Sequence, residues 1–271
     1  MTRGIIYVAA GEPYLTEMRQ SIISLRNYIP DIPITCYTDV PFEHDYIHEN
    51  IILEDMVYDF ADSILDKDMI TYDQVIFLDS DTYICEDISD IFDILDKFDI
   101  AAVHNPERRP EFFEDESAYE AQGVPDSFPQ YNTGVLGICN NRSAHELLDT
   151  WQRIYETTIT DEGFTFNQPA FREALYKTDV SIATLPSEYN VRTNRCGYLN
   201  GPVKILHGRH PEMGRVEKKL NESTMSRVYT LQRYPVHLIP HEVTLKYRLL
   251  RAIKRDGVLD TLKQVIRFVT T

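Results

Sequence analysis

Apolar residues along the first half of the chain alternate between strand-like runs and helix-like stripes. The strand-like runs are 4–10, 34–38, 51–53, 75–78 and 100–103. The run 75–78 is continuously apolar, which is typical of a central strand buried on both faces. Between the first two runs, apolar residues recur every three or four positions from Leu15 to Ile29, which predicts one helix ended by Pro30. Further helices are predicted at 57–70 and 88–95.

The second half continues the same alternation. Strands are predicted at 134–138, 180–185 and 203–206, and Asn140 with the capping box Ser143–Glu146 predicts the start of a helix. Strands alternating with helices favour an α/β fold with a mostly parallel central sheet. Ligands of such sheets bind beyond the carboxyl ends of the strands, so the residues that follow each strand are the candidates for chemistry.

Two segments depart from this pattern. Residues 106–130 contain four prolines and no periodicity, and loops of that length are usually functional or disordered, which favours an acceptor-facing loop. From Arg215 onward the chain has 12 basic and 5 acidic residues, a net charge of +7 that leaves −23 for the rest. We therefore predict a catalytic domain at 1–214 and a basic, amphipathic, helical C-terminal extension at 215–271.

The overall charge excludes one class of partner. With 27 Lys and Arg against 43 Asp and Glu, the formal net charge is −16. Nucleic-acid binding depends largely on cationic contacts to phosphate, so no nucleic-acid partner is expected. An acidic surface poor in lysine fits a halophilic protein, because salt screens its self-repulsion, but it also fits an ordinary acidic cytosolic protein.

The first residues enter a strand-like run without the layout of a signal peptide. No apolar stretch approaches the ~18 residues that a membrane span requires. The expected location is therefore the cytoplasm.

The triplet Asp79-Ser80-Asp81 directly follows the buried run 75–78. In an extended backbone residues i and i+2 face the same way, so the two carboxylates are expected to converge on one hard cation. A second triplet, Asp66-Lys67-Asp68, shows that the pattern alone is weak, because about two such triplets are expected by chance. Asp66 and Asp68 lie in a polar stretch and are expected on the solvated surface, so the position after a buried strand distinguishes the first triplet.

The run 75–82 resembles the aspartate triplet of GT-A fold glycosyltransferases, particularly glycosyltransferase family 8 and its relatives. Other pieces follow in the order of that family over residues 4–211. They are the strand end Val8-Ala9-Ala10-Gly11 with Tyr14, then Thr38-Asp39, Asn132-Thr133-Gly134, Asn167-Gln168, the turn Leu185 to Asn190, and His207-Gly208.

The resemblance implies a metal-dependent transfer of a sugar from a nucleotide-diphosphate donor, with UDP as the expected nucleotide, to an acceptor hydroxyl. Asp79, Asp81 and His207 would hold Mn²⁺ or Mg²⁺. Asn132, Asn167 and Gln168 would lie at the reaction centre, with Asn132 facing the donor sugar. The nucleotide and its phosphates would contact Ala9, Ala10, Gly11, Tyr14, Thr38, Asp39, Ser80 and Arg209. The acceptor would be a glycan, a lipid-linked sugar or a protein.

This chain also departs from the family. Asn167 replaces the usual acidic residue before Gln168. The motif that begins at His207 lacks the lysine that the family has after it, and Arg209 is the nearby cation in this chain. An arginine fork suits phosphate well, so Arg209 is expected to replace that lysine. A retaining outcome is favoured because an inverting reaction needs a carboxylate base, and Asp161, Glu162 and Glu188 are only weak candidates for that base.

Two alternatives keep the same fold. A sugar-nucleotide nucleotidyltransferase needs a glycine-rich, cationic triphosphate loop, whereas Gly11-Glu12-Pro13 offers one glycine and an acid. The second alternative is a module that binds a nucleotide sugar without catalysis. The basic extension also has two interpretations, since its apolar stripes fit either packing on the acidic body or peripheral binding to an anionic membrane at the inner face of the cell.

Overall fold

The computed structural model describes residues 1–53, 65–106, 123–162, 167–230 and 237–240, together with Ile253, Gly257 and Val258. Most of the predicted helix 57–70, most of the predicted loop 106–130 and nearly all of the extension beyond residue 240 lie outside these residues. The predictions made for them stay predictions.

The described residues form thirteen strands and five α-helices. The strands are β1 (Arg3–Ala9), β2 (Ile34–Thr38), β3 (Glu49–Ile52), β4 (Gln74–Leu78), β5 (Thr82–Ile84), β6 (Ile100–Asn105), β7 (Gln130–Cys139), β8 (Ile182–Leu185), β9 (Val191–Arg192), β10 (Cys196–Leu199), β11 (Ile205–His207), β12 (Arg227–Thr230) and β13 (His237–Pro240). The helices are α1 (Glu12–Arg26), α2 (Ile91–Leu95), α3 (Arg142–Glu162), α4 (Gln168–Lys177) and α5 (Met213–Leu220).

A seven-stranded sheet in the order β3-β2-β1-β4-β7-β6-β8 forms the centre of the molecule. Every neighbouring pair is parallel except the two pairs made by β7, which is antiparallel to both β4 and β6. The predicted α/β class with a mostly parallel sheet is confirmed. Because β7 runs in the opposite direction, its first residues lie at the same edge of the sheet as the carboxyl ends of β1, β2 and β4.

Helices cover both faces of this sheet. On one face, α1 and α2 bury the predicted stripe, including Leu15, Met18 and Ile22, against the sheet. On the other face, α3 and α4 pack together through Trp151 and Phe171, whose ring centroids lie 4.7 Å apart. Burial of these apolar faces is the main favourable free energy of folding, and it fixes the sheet as a rigid support.

Two helix ends bear on the sequence expectation. Helix α1 ends at Arg26, but the Ile29 N–H still donates to the Leu25 carbonyl at 2.9 Å, so helical turns continue up to the residue before Pro30. The Arg26 guanidinium donates hydrogen bonds to the carbonyls of Ile29, Pro30 and Ile32 beyond this end. Helix α3 is capped by Asn141, whose Oδ1 accepts the Ala144 N–H at 3.0 Å. The expected caps Asn140 and Ser143 do not provide this bond.

Two smaller sheets, β5-β11-β9 and β10-β12-β13, complete the described part. The predicted domain boundary after residue 214 falls inside α5, whose Val216 and Leu220 pack with Leu199 and Leu206. Strands β12 and β13 lie in the segment for which only helices were predicted. None of the described helices combines the length and the apolar character that a membrane span requires.

Candidate metal and nucleotide site

The aspartate triplet forms a tight turn at the end of β4. The Thr82 N–H donates to the Asp79 carbonyl at 3.2 Å, and the Thr82 hydroxyl donates to the same carbonyl at 2.8 Å. The expectation of an extended backbone is therefore wrong for this triplet. The Asp79 N–H donates to the Gly134 carbonyl at 2.8 Å, so the turn is attached to β7.

Asp79, Asp81 and His207 converge beyond this edge of the sheet. The His207 Nε2 atom lies 3.4 Å from Asp79 Oδ2 and 3.2 Å from Asp81 Oδ1, and one ligand atom from each residue lies within 4.8 Å of the others. The side chain of His207 is 5% exposed, that of Asp81 is 16% exposed and that of Asp79 is 36% exposed. Two carboxylates and one imidazole with an open side form a donor set that a divalent cation can use.

Strand β7 packs closely against this triad. A Cβ atom added to Gly134 would lie 2.2 Å from His207 Cε1 and 2.3 Å from Asp79 Oδ2, far inside van der Waals contact. The absence of a side chain at residue 134 therefore makes room for two of the three candidate ligands.

Asn132 is buried at the same edge and faces the interior. Its Oδ1 atom accepts the Gly134 N–H at 3.0 Å and the Asn190 Nδ2–H at 2.7 Å. The Oδ1 atom of Asn190 lies 2.9 Å from His207 Nδ1. The residue that the resemblance places at the donor sugar is thus connected to the candidate metal ligands.

Contacts at this site shift the pKa values of Asp81 and His207. Burial opposes ionisation of Asp81, but the hydrogen bond and charge of His207, with Arg209 and Arg192 nearby, lower the pKa of Asp81 to about 2. Burial and Arg192 disfavour the His207 cation, yet contacts with Asp79 and Asp81 outweigh them and raise the pKa of His207. A proton on His207 and a divalent cation would occupy the same space, so cation binding must release that proton.

The expected nucleotide residues lie at the ends of β1 and β2. Ala9 ends β1, Ala10 follows it, and Gly11 adopts a positive φ of 88° as it leads into α1. The Gly11 N–H donates to Asp39 Oδ2 at 3.0 Å, whereas Asp39 Oδ1 is buried without a hydrogen-bond partner among the described residues. The Thr38 hydroxyl stabilises the turn after β2, because it donates to the Val40 carbonyl at 2.7 Å.

Arg209 lies beside α1. Its Nε and Nη2 atoms donate to the two carboxylate oxygens of Glu17 at 2.6 and 3.1 Å, and its guanidinium lies 5.3 Å from the centre of the Tyr14 ring. A cavity of about 270 Å³ next to this pair is lined by residues that include Ser80 and Asp81. Ser80, Asp81 and Arg209 therefore line one cavity, and Tyr14 lies beside it through its contact with Arg209.

The Asn167–Gln168 pair lies at the start of α4. The Asn167 Oδ1 atom accepts the Thr133 hydroxyl at 3.0 Å, and the Asn167 carbonyl accepts the Trp151 indole N–H at 3.1 Å. The Gln168 side chain is buried, and its Oε1 atom accepts the Asn105 Nδ2–H at 2.6 Å. Both amides are held in place by neighbours, and Thr133 links the pair to β7.

The architecture has known counterparts among solved structures. The chain is similar to the galactosyltransferase LgtC in complex with donor and acceptor sugar analogues, with a TM-score of 0.51, 14% identity, and 81% of this chain and 94% of that chain covered. It is also similar to the bifunctional glycosyltransferase WbbM, with a TM-score of 0.54, 15% identity, and 72% and 40% covered. The fold is that of GT-A glycosyltransferases. No protein-family model and no curated protein sequence matches the chain.

An active-site mutant of LgtC gives a third match, with a TM-score of 0.50, 15% identity, and 89% of this chain and 98% of that chain covered. At this level of identity the likeness establishes the GT-A fold. The roles of individual residues rest on the geometry described above and on the resemblance of the motifs.

Several residues at this GT-A sheet edge were not among the predicted site residues. The resembling motifs include Asn190 in a turn and Gly134 in a strand, but they assign neither residue a role. Glu17 and Asn105 carried no signal, because their partners Arg209 and Gln168 are distant in the sequence. Only the folded chain brings these pairs together.

Proposed function

We propose that the protein is a metal-dependent glycosyltransferase that moves a sugar from a UDP-sugar to an acceptor hydroxyl with retention of configuration. The observation that carries this proposal is the convergence of Asp79, Asp81 and His207 at the sheet edge where Gly11 and Asp39 also lie. That arrangement can hold a cation and a nucleotide side by side, as transfer from a nucleotide sugar requires.

The residues present fit a divalent cation. Two carboxylate oxygens and one imidazole nitrogen face a common space, and Gly134 leaves that space clear of a side chain. Asp79, Asp81 and His207 would hold Mn²⁺ or Mg²⁺, and the cation would neutralise the diphosphate leaving group. The guanidinium of Arg209 would add positive charge at the same phosphates once it exchanges part of its contact with Glu17.

The partner-free oxygen of Asp39 supports uracil as the base. A buried acceptor without a hydrogen bond costs about 1–3 kcal/mol, and a donor supplied by a ligand removes that cost. Uracil offers an N3–H donor, whereas cytosine presents an acceptor at the same position. Asp39 Oδ1 therefore favours a uridine nucleotide, and Tyr14 offers an aromatic surface nearby.

The contacts of Glu188 make it an unsuitable base for an inverting reaction, and the side chains of the other two candidates, Asp161 and Glu162, lie outside the described residues. This carboxylate is buried and accepts the backbone N–H of Asn200, so it is a poor base for activating an acceptor hydroxyl. Gln168 is held by Asn105 at its Oε1 atom and is a weak nucleophile. A front-face reaction, in which the leaving phosphate receives the acceptor proton, requires neither residue to act as a base, and Gln168 would instead orient the sugar.

The acceptor and the cellular setting follow from the same proposal. We expect a glycan, a lipid-linked sugar or a protein as the acceptor, and a cytoplasmic enzyme at the inner face of the membrane, where the basic residues beyond 240 would meet anionic lipid. The strongly acidic remainder of the chain suits work in high salt, where counterions screen its repulsion.

A product assay tests the proposal. Full-length protein is incubated with Mn²⁺ and a panel of nucleotide sugars with simple sugar acceptors, and separately with sugar phosphates and nucleoside triphosphates. Products are identified by mass spectrometry, and NMR recorded before mutarotation gives their anomeric configuration. We expect one UDP-sugar to yield UDP and a glycosylated acceptor or, with water alone, free sugar of unchanged anomeric configuration. Formation of a sugar nucleotide from a sugar phosphate and a nucleoside triphosphate would instead establish a nucleotidyltransferase. Binding of a UDP-sugar without turnover of any donor would indicate a binding module.

A further inference from the structure

We propose that Asn132 and Asn190 form a positioning relay that holds His207 with its Nε2 lone pair directed at the candidate metal site. The relay rests on the proposed function only in taking that site to bind a divalent cation. It assigns Asn190 a role that neither the motifs nor the comparisons give it. It also gives Asn132 a role other than contact with the donor sugar.

The direction of every hydrogen bond in the relay is fixed from one end. A backbone N–H can only donate, so the Gly134 N–H at 3.0 Å requires Asn132 to present its Oδ1 atom. The same Oδ1 atom faces Asn190 at 2.7 Å, so Asn190 must present its Nδ2–H there. The orientation of both amides follows from β7 itself.

The consequence reaches His207 at the other end. With Nδ2 directed at Asn132, Asn190 turns its Oδ1 atom to His207 Nδ1 at 2.9 Å. An amide oxygen only accepts, so Nδ1 must carry the hydrogen. In the neutral imidazole the lone pair is then on Nε2, the atom that lies 3.2 Å from Asp81 and 3.4 Å from Asp79.

Burial makes the relay consequential. Asn132, Asn190 and His207 are exposed by only 4–5%, so water cannot replace a lost partner without reorganisation. Groups that hydrogen-bond the second nitrogen of a ligating histidine fix its tautomer and ring orientation, and their loss typically weakens metal binding by about 10–100-fold. Asn190 is therefore a positioning residue that acts through His207.

The test is a Mn²⁺ titration of the full-length protein by calorimetry, with thermal unfolding of each variant measured in metal-free buffer. Asn190→Ala removes the acceptor for Nδ1–H and should weaken Mn²⁺ binding by about 10–100-fold. Asn190→Asp keeps an acceptor for Nδ1–H, although it loses the donor to Asn132. It should therefore bind Mn²⁺ much more tightly than Asn190→Ala, even where both variants unfold at lower temperature.

Asn140 provides the matched control at the opposite end of β7. Its Nδ2 atom donates to the Ile70 carbonyl at 2.7 Å, and its Oδ1 atom lies 2.8 Å from His145 Nε2. It thus contacts a histidine and a backbone group but no candidate metal ligand. Asn140→Ala should leave Mn²⁺ affinity unchanged.

The outcomes separate the relay from the proposed function. The relay is overturned if Asn190→Ala binds Mn²⁺ as tightly as the wild type, or if Asn190→Ala and Asn190→Asp lose equal Mn²⁺ affinity. In either case, tight Mn²⁺ binding by the wild type that Asp79→Asn abolishes would uphold the metal site. Absence of Mn²⁺ binding in the wild type would overturn both proposals.

Discussion

At the scale of single residues, the candidate metal site leaves no room for a side chain at Gly134. Replacing it with alanine would place a Cβ atom 2.2 Å from His207 Cε1 and 2.3 Å from Asp79 Oδ2. We predict that Gly134→Ala displaces these two ligands and lowers Mn²⁺ affinity by at least about ten-fold, the size of effect that disturbed ligand orientation produces. Calorimetric titration measures the change.

Gly137 on the same strand is the control for that variant. A Cβ atom there would meet Ile91 Cγ2 at 2.9 Å in the apolar core, away from the triad. Gly137→Ala should lower the free energy of unfolding and leave Mn²⁺ affinity unchanged. Equal Mn²⁺ affinity in Gly134→Ala and wild type would show that β7 does not shape the site.

The charge of the Asp79 carboxylate is the second feature that a single substitution can test. Asp79→Asn is nearly isosteric but removes the charge that binds the cation, so turnover should fall to less than about a tenth of the wild-type rate. Asp68→Asn is its control, because Asp68 is exposed and the Asp66 carboxylate caps the short turn Lys67–Met69. Initial rates with the donor found in the product assay decide the matter, and substantial activity in Asp79→Asn would remove this carboxylate from the metal site.

At the scale of elements, the hydrophobic pattern predicted the strands and helices that carry strong periodicity. The apolar run 75–78 became β4, and the stripe from Leu15 to Leu25 became the buried face of α1. The antiparallel direction of β7 was not predictable, since alternation of apolar residues is the same in either direction. Strands β12 and β13 were not predicted, and β12 pairs both with β13 just after it and with the earlier strand β10.

In the candidate site too, some features could be predicted from the sequence and others depend on tertiary packing. Its three candidate metal ligands could be named from the sequence because Asp79 and Asp81 follow a buried strand and the resemblance supplied His207. The turn that replaces the expected extended backbone depends on the Thr82 hydroxyl and on β7, neither of which the triplet encodes. Contacts such as Arg209 with Glu17 follow from tertiary packing alone.

Asp99 provides an element-scale prediction, because it links β6 to β8 and α3. Its carboxylate accepts the Ser181 N–H at 2.9 Å, the Ser181 hydroxyl at 2.6 Å and the Asn141 amide at 2.7 Å. Burial raises its pKa, but these hydrogen bonds outweigh burial and leave the pKa lowered. Asp99→Asn should therefore lower the free energy of unfolding at pH 7 by about 1 kcal/mol, a value reduced by solvent screening.

The contribution of Asp99 to the free energy of unfolding should decrease in acid. A lowered pKa in the folded state means that the contribution of Asp99 is complete above the unfolded value near 4 and is lost as the pH falls through the folded value. The difference between wild type and Asp99→Asn in urea unfolding should thus shrink in acid. The exposed Asp179 is the control, and Asp179→Asn should be silent. A difference independent of pH would contradict this role of Asp99.

At the scale of the whole molecule, charge is segregated between a −23 portion and a +7 portion that begins at Arg215. We predict that full-length protein co-sediments with anionic liposomes at low salt and that a chain ending at Pro240 does not. Attraction between basic residues and anionic lipid amounts to about 1 kcal/mol for each cation near the surface and weakens with salt. Equal sedimentation of both chains, with loss of cooperative unfolding in the shorter one, would mean that the extension packs on the body.

In the proposed enzyme, one sheet edge holds a divalent cation and a uridine diphosphate together. The most direct measurement is calorimetric titration of UDP into full-length protein with Mn²⁺ and, separately, with a chelator. We expect UDP binding that requires Mn²⁺, is abolished by Asp79→Asn and is preserved in Asp68→Asn. Binding of UDP that is unaffected by the chelator, or tight binding of a nucleoside triphosphate without binding of UDP, would contradict it.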